Sequence, residues 1–242
     1  ASDFIVAHHI PFYLQSNRKP TFETNCIEDW EEKVEAIVDE TAGADMTLIS
    51  GIPSWLQMYF ERLTARTGKK IGELFPHFSL LVTGGVNFSP YRARLESMIG
   101  RKVDVLETYP ASEGFIAASD SVSGDGSLLL MVNSGIFYEF VPADRFYEEN
   151  PPRLSLEEVG TGVNYAIILS TNSGLWAYAI GDTVEFTSLR PYRIKVTGRI
   201  SHYTSAFGEH VIAAEAERSV EGAALQCGAL VSEFTLAPQV NP

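Results

Sequence analysis

Cysteine, long apolar runs and basic charge are all scarce in this chain of 242 residues. The two cysteines, Cys26 and Cys227, lie far apart and match no metal-ligand spacing, so we interpret both as reduced thiols of a cytosolic protein. No stretch approaches the roughly 20 apolar residues of a membrane span. The formal net charge is −13, which disfavours nucleic acids and anionic membranes as partners.

Several catalytic signatures are missing from the sequence as well. It contains no G-x-S-x-G, no H-E-x-x-H and no G-x-x-x-x-G-K-[ST] motif, and the pair His8–His9 has no neighbour at metal-ligand spacing. These absences argue against an α/β-hydrolase nucleophile, a zincin metal site and a P-loop. With 45% apolar residues, the chain nevertheless has enough material for a substantial core.

Helical and strand patterns divide the chain into a mixed first half and a strand-rich second half. Helices are predicted over Ile27–Thr41, from Pro53 to the stop at Gly68, and from Ser89, with a buried strand in "HFSLLVTGG". A last helix follows Gly208. Between the helix from Ser89 and this last helix lie short strand candidates: "VDVLETY", "GFIAAS", "SLLLMVN", "IFYEFVP", "NYAIILST", "LWAYAI", "TVEFTS" and "YRIKVTG". The pattern predicts a mixed α/β fold, an α/β layered subdomain joined to a β-rich one.

Two polar segments interrupt the first part of this pattern. In "VTGGVNFSP", Gly84 and Gly85 follow a strand, where a backbone can approach a ligand closely; a plain strand-to-helix turn is the alternative. In "TYPASEG", Tyr109 offers a flat stacking surface, Ser112 a hydroxyl and Glu113 a carboxylate suited to Mg²⁺. For that segment the alternative is a solvated polar turn.

Two further segments follow in the strand-rich half. In "LWAYAIGDTVEF", the pair Gly181–Asp182 is typical of a turn between two strands, or else Asp182 accepts the hydroxyls of a ribose. In "KVTGRISHYTSAFGE", Arg199 stands at a junction where a permanently charged donor suits a phosphate. An isolated Gly-Arg pair is also compatible with an ordinary surface turn.

The order of these segments resembles the adenylate-forming superfamily of acyl ligases, luciferases and peptide-synthetase adenylation domains. Within it, the chain is most similar to the plant-type auxin-responsive promoter family of acyl-acid amido synthetases and their bacterial relatives. The phrases that carry the resemblance span most of Ile49–Glu217: "LISGIPSWLQ", "ETYPASEGFIA", "GIFYEF", "GLWAYAIGDTVEF" and "RIKVTGRISHYTSAFGE".

The resemblance implies a two-step reaction with ATP and Mg²⁺: activation of a carboxylic acid as acyl-AMP, then transfer to an amino acid or other amine. It implies that Glu113 holds Mg²⁺ and, with Arg199, acts in catalysis. Asp182 would bind the ribose diol, and Tyr109 would flank the adenine. The remaining residues assigned to the nucleotide site are Gly84, Gly85, Thr108, Ser112, Tyr178 and His202.

Departures from the family pattern qualify these expectations. The family's phosphate loop and lid lysine are not in this chain, so we expect a fragment that does not form acyl-adenylate alone. Ala177 and Ala179 stand where the family commonly has arginine. The resemblance divides the chain into the large α/β subdomain (1–120), a β-rich subdomain (121–199) and a hinge with the start of a lid domain (200–242). The alternative is a non-catalytic nucleotide- or protein-binding module that retains the fold.

Overall fold

Two compact units, Ala1–Leu106 and Glu107–Pro242, make up the chain in this computed structural model. The structure describes residues 11, 13, 17–86, 88–122, 126–200, 213–229 and 231. The boundary between the units falls within the strand Asp104–Ala111, and the domain limits expected at residues 120 and 199 remain predictions. Among the described residues, no helix combines the length and the apolar character needed to cross a membrane.

The first unit is an α/β layer. Its strands β1 and β2 pair in parallel, with Leu48 opposite Leu80. Proline opens α3 and α5, and left-handed glycines end them at Gly68 and Gly100, as helix-end chemistry dictates. The elements are α1 (Phe22–Asn25), α2 (Trp30–Thr41), β1 (Leu48–Gly51), α3 (Pro53–Thr67), α4 (Ile71–Leu74), β2 (Leu80–Gly84) and α5 (Ser89–Ile99).

The predicted helices of this unit are confirmed, with one change of boundary. Helix α2 begins at Trp30 rather than Ile27, because the Asp29 side chain caps it by accepting a hydrogen bond from the Glu32 amide. The core of the unit packs Phe60 of α3, Phe78 from the segment before β2 and other apolar side chains against the two parallel strands. Burying each of these phenylalanines contributes roughly 1.5–3 kcal/mol.

The second unit is built on an antiparallel sheet in the order β3-β4-β5-β9-β8-β7-β6. Its core centres on Phe140 and Phe186, whose rings meet edge to face with centroids 5.0 Å apart. The elements are β3 (Asp104–Ala111), β4 (Gly114–Ala118), β5 (Leu128–Leu130), β6 (Ile136–Pro142), β7 (Asn164–Thr171), β8 (Tyr178–Leu189), β9 (Tyr192–Arg199) and α6 (Ala213–Cys227).

This sheet curls strongly on itself. Strands β4 and β6 stand far apart in the strand order, yet a Cβ added at Gly114 on β4 would lie 2.6 Å from Ile136 Cδ1 on β6. A flat sheet with strands about 4.8 Å apart would keep them roughly 24 Å from each other. The curl therefore brings the start of β4 against β6, and glycine at position 114 leaves room for the Ile136 side chain.

The predicted turn at Gly181–Asp182 is wrong, because both residues lie inside β8. Ala166 pairs with Thr183 and Ile168 with Ala179, so β8 carries extra residues opposite β7. Gly181 accommodates this irregularity with a φ of 85°. A Gly-Asp pair that is typical of a turn here forms a bulge, since β7 and β9 both continue to pair with β8 beyond it.

Candidate functional site

A carboxylate, a guanidinium and a phenol meet in the second unit. Asp182 follows the bulge glycine of β8, and Arg199 stands directly opposite it in the register with β9. Arg199 Nε donates a hydrogen bond of 2.9 Å to Asp182 Oδ1. The Asp182 side chain is 15% exposed, whereas that of Arg199 is 60% exposed, so the carboxylate is held in the fold while the cation reaches into solvent.

Tyr109 reaches the same carboxylate from strand β3. Its hydroxyl donates a hydrogen bond of 2.7 Å to Asp182 Oδ2. The residue is only 6% exposed, and its ring belongs to the core cluster of the unit. In this structure the ring is covered by its neighbours, and the polar end of Tyr109 is directed at Asp182. The role of Tyr109 beside the adenine stays a prediction, and its contact with Asp182 was not foreseen.

Electrostatics links a fourth residue to this cluster. Burial, followed by the negative charge of Asp182, raises the pKa of Tyr109 well above its usual value. The Arg199 charge opposes this shift and the Glu113 charge adds to it, so the Glu113 carboxylate acts on the same phenol. The phenol consequently stays protonated and remains a donor to Asp182 at any pH near neutrality.

The turn between β3 and β4 positions Glu113. Strand β3 ends at Ala111, its pairing with β4 shifts register after Tyr109, and Ser112 and Glu113 form the turn before Gly114. Ser112 is exposed and Glu113 is half-buried. The turn thus presents a hydroxyl and a carboxylate at the end of the strand that carries Tyr109.

The other predicted residues are more scattered. Thr108 precedes Tyr109 on β3 and faces the other side of the strand, and Tyr178 is the partly exposed first residue of β8. Gly84 ends β2 in the first unit, and Gly85 follows with a φ of 85°. His202 lies outside the described residues. The structure therefore joins Tyr109, Asp182 and Arg199 by hydrogen bonds within the second unit, and Glu113 acts on Tyr109 through its charge.

A buried polar network beside the bulge was missed by the sequence reasoning. The Thr197 hydroxyl is hydrogen-bonded to the Thr183 hydroxyl at 2.8 Å and to Asn164 Oδ1 at 2.5 Å. Thr183 and Thr197 are both buried, and they adjoin the bulge residues on β8 and β9. Threonine is an ordinary strand residue, so no local sequence signal distinguishes these hydroxyls from surface ones.

The described residues contain no group of three His, Cys, Asp or Glu side chains that could enclose a metal ion. The possible metal ligands at the site are instead individual carboxylates. Mg²⁺ commonly uses only one or two protein carboxylates and completes its shell with water and phosphate oxygens. Glu113, in a turn and half-buried, meets that requirement, so the residues present are compatible with Mg²⁺ brought by a phosphate ligand.

Comparison with solved structures defines the class of fold. The chain superposes on an acyl acid amido synthetase, GH3.15, with a TM-score of 0.64 and 16% identity, over 83% of this chain and 45% of that one. It superposes on 2-hydroxyisobutyryl-CoA ligase, in the postadenylation state with R3-HIB-AMP, with a TM-score of 0.59 and 16% identity, over 78% and 40% of the two chains. The fold is that of adenylate-forming enzymes.

Sequence comparison then shows which known proteins the chain resembles. Residues 129–199 match the model of the GH3 family central domain, and this range includes Asp182 and Arg199. The chain is 30% identical over 122 residues to jasmonoyl–L-amino acid synthetase JAR4 of Nicotiana attenuata, over 48% of this chain and 21% of that protein. The predicted resemblance to acyl-acid amido synthetases is confirmed: one segment of the chain matches the GH3 family central domain, and the chain is similar in sequence to an amido synthetase. It spans about a fifth of the length of that relative.

Proposed function

We propose that this chain contributes the ribose- and metal-binding part of an ATP-dependent acyl-adenylating ligase. In the proposed reaction a carboxylate oxygen attacks the α-phosphorus of ATP, the bond to pyrophosphate breaks, and an amine then takes the acyl group and releases AMP. The observation that supports this most is the Asp182 carboxylate, held between Tyr109 and Arg199 inside the segment that matches the GH3 central domain.

Asp182 is suited to recognise the ribose diol. Each carboxylate oxygen has two lone pairs, and the bonds from Tyr109 and Arg199 use one on each oxygen. The remaining lone pairs are available to two ribose hydroxyls. Hydrogen bonds to a charged group contribute roughly 1.5–3 kcal/mol each, so this contact would account for much of the nucleotide affinity.

Arg199 and Glu113 are assigned to the phosphates. The bond to Asp182 uses one of the five N–H donors of the Arg199 guanidinium, and the exposed side chain keeps the others for phosphate oxygens. Glu113 would hold Mg²⁺, which neutralises charge on those oxygens when it is bound. The remaining proposed contacts to the nucleotide are Gly84, Gly85, Thr108, Tyr109, Ser112, Tyr178 and His202.

The decisive experiment is ATP–pyrophosphate exchange, measured on the protein expressed from its complete gene across a panel of carboxylic acids. We expect exchange with at least one acid and a loss of at least about tenfold in Asp182→Ala, because the ribose contacts are removed. Asp144→Ala changes an exposed carboxylate of the same unit and should leave exchange intact. No exchange with any acid, or full exchange in Asp182→Ala, would contradict the proposal.

Two observations favour a second candidate, a non-catalytic nucleotide- or protein-binding module. Both oxygens of Asp182 already have donors within the protein, as in a purely structural ion pair. Ala177, just before β8, and Ala179, on β8, also stand where the family commonly has cations. This candidate predicts no exchange, together with a loss of thermal stability in Asp182→Ala and unchanged AMP binding.

A further inference from the structure

The bond between Tyr109 and Asp182 crosses the interior of the curled sheet. Strands β4, β5 and β9 lie between β3 and β8 in the strand order. In a flat sheet these two strands would be about 19 Å apart, beyond the reach of the two side chains. The hydrogen bond of 2.7 Å exists because the sheet folds β3 over β8, so it depends on the tertiary structure rather than on strand pairing.

The geometry points to Tyr109 as a positioning residue for Asp182, an inference that rests on the proposed ribose role of this carboxylate. An aspartate side chain rotates about two bonds, and ordering such a side chain on binding reduces affinity. The Tyr109 hydroxyl holds Oδ2, so the carboxylate is fixed with Oδ1 on the side of the exposed Arg199. Arg199 cannot supply the same constraint, because its side chain is mostly in solvent.

Two other buried tyrosines of the same core cluster show how Tyr109 differs from an ordinary core residue. The Tyr165 hydroxyl accepts a hydrogen bond from the Gly160 amide at 2.9 Å, and the Tyr138 hydroxyl donates to the Met131 carbonyl at 3.4 Å. Both therefore bind main-chain atoms. Tyr109 instead donates a hydrogen bond to a charged side chain. Burial raises the pKa of the Tyr109 phenol, so the phenol stays protonated and keeps this bond.

Tyr109→Phe tests the inference because it removes the hydroxyl and keeps the ring. The readout is the ratio of the dissociation constants of 2′-deoxy-AMP and AMP, measured by calorimetric titration of this chain. We expect wild type to prefer AMP, Asp182→Ala to lose the preference, and Tyr109→Phe to weaken AMP binding by about three- to tenfold with a smaller effect on 2′-deoxy-AMP. Tyr165→Phe is the matched control and should keep the wild-type ratio.

The outcomes separate this inference from the function on which it rests. An unchanged ratio in Tyr109→Phe, with the preference lost in Asp182→Ala, overturns the positioning role and leaves the proposed function standing. A wild-type chain that does not prefer AMP overturns both. If Tyr109→Phe does not fold, the same ratio of dissociation constants can be measured in Tyr109→Met, because the flexible methionine side chain can occupy the space of the ring and carries no hydroxyl. In the double variant Tyr109→Phe/Asp182→Ala, a loss beyond that of Asp182→Ala alone would also contradict the inference.

Discussion

Two carboxylates of the site, Asp182 and Glu113, differ in their surroundings. Asp182 lies on a strand and accepts hydrogen bonds from a phenol and a guanidinium. Glu113 lies in a turn and reaches the cluster through its charge. A carboxylate fixed by two donors suits a defined hydrogen-bonding partner such as a diol, whereas one in a polar turn suits a hydrated cation. The two proposed roles can therefore be separated experimentally.

Replacing each carboxylate by alanine should produce different defects. Asp182→Ala should weaken the binding of AMP and of ATP alike, with or without metal, since up to two hydrogen bonds of roughly 1.5–3 kcal/mol each are lost. Glu113→Ala should leave metal-free AMP binding within about threefold and weaken the use of ATP across a Mg²⁺ titration. AMP titration of this chain and adenylation by the protein from the complete gene measure the two effects. Identical behaviour of the variants would mean that at least one role is misassigned.

Strand β8 is the element on which the geometry of the site depends. Gly181 adopts a left-handed backbone, and nothing lies within 4 Å of the position of an added Cβ. Substitution there therefore strains the backbone without a steric clash. The left-handed conformation costs a residue with a side chain roughly 1–2 kcal/mol. Relief of that strain would change the bulge, and with it the direction of the neighbouring Asp182.

Gly181→Ala should lower stability by about 1 kcal/mol and also reduce the affinity for AMP. Gly162→Ala is the matched control: Gly162 has a φ of 75°, it too has open space around an added Cβ, and it lies outside β8. Both variants should show similar shifts of the thermal midpoint, and only Gly181→Ala should bind AMP more weakly. Equal AMP binding in the two variants would show that the bulge does not direct Asp182.

Another contact between elements of the second unit joins the end of β4 to β9. Arg193 donates two hydrogen bonds of 2.6 Å to the carboxylate of Asp120, which follows β4. These bonds lower the pKa of Asp120. A carboxylate whose pKa is lower in the folded state stabilises the fold above its unfolded pKa, about 3.9, and loses that contribution as the pH falls through the folded pKa.

Asp120→Asn should therefore be less stable than wild type near neutral pH, and the difference should shrink below about pH 4. Thermal midpoints of the two proteins, measured in steps from about pH 7 to pH 3, give the comparison. The pair is exposed, so a modest effect is expected. A difference that stays constant to pH 3 would exclude the Asp120–Arg193 pair as its source.

At the scale of the whole molecule, the sequence predicts local segments better than their arrangement. Strands β6 and β7 coincide with "IFYEFVP" and "NYAIILST", because continuous apolar runs bounded by turn residues are local signals. Motif order singles out Asp182, Arg199 and Glu113, and their functional roles remain predictions. The curl of the sheet, the Tyr109–Asp182 bond and the buried threonines depend on contacts distant in sequence, which no local pattern encodes. The absence of nucleic-acid and membrane partners, argued from the net charge of −13, and the cytoplasmic location, argued from the two cysteines, remain predictions.

The curl of the second unit also bears on the order in which the chain can assemble. Arg199 and Asp182 are 17 residues apart on adjacent strands of one hairpin, whereas Tyr109 and Asp182 are 73 residues apart. Closing the longer loop costs roughly 1 kcal/mol more in chain entropy. We therefore expect the ion pair to form with the β8–β9 hairpin itself, and the phenol to reach the carboxylate only when β3 folds over β8. On that expectation, the three-residue cluster is completed later in folding than the hairpin that carries two of its members.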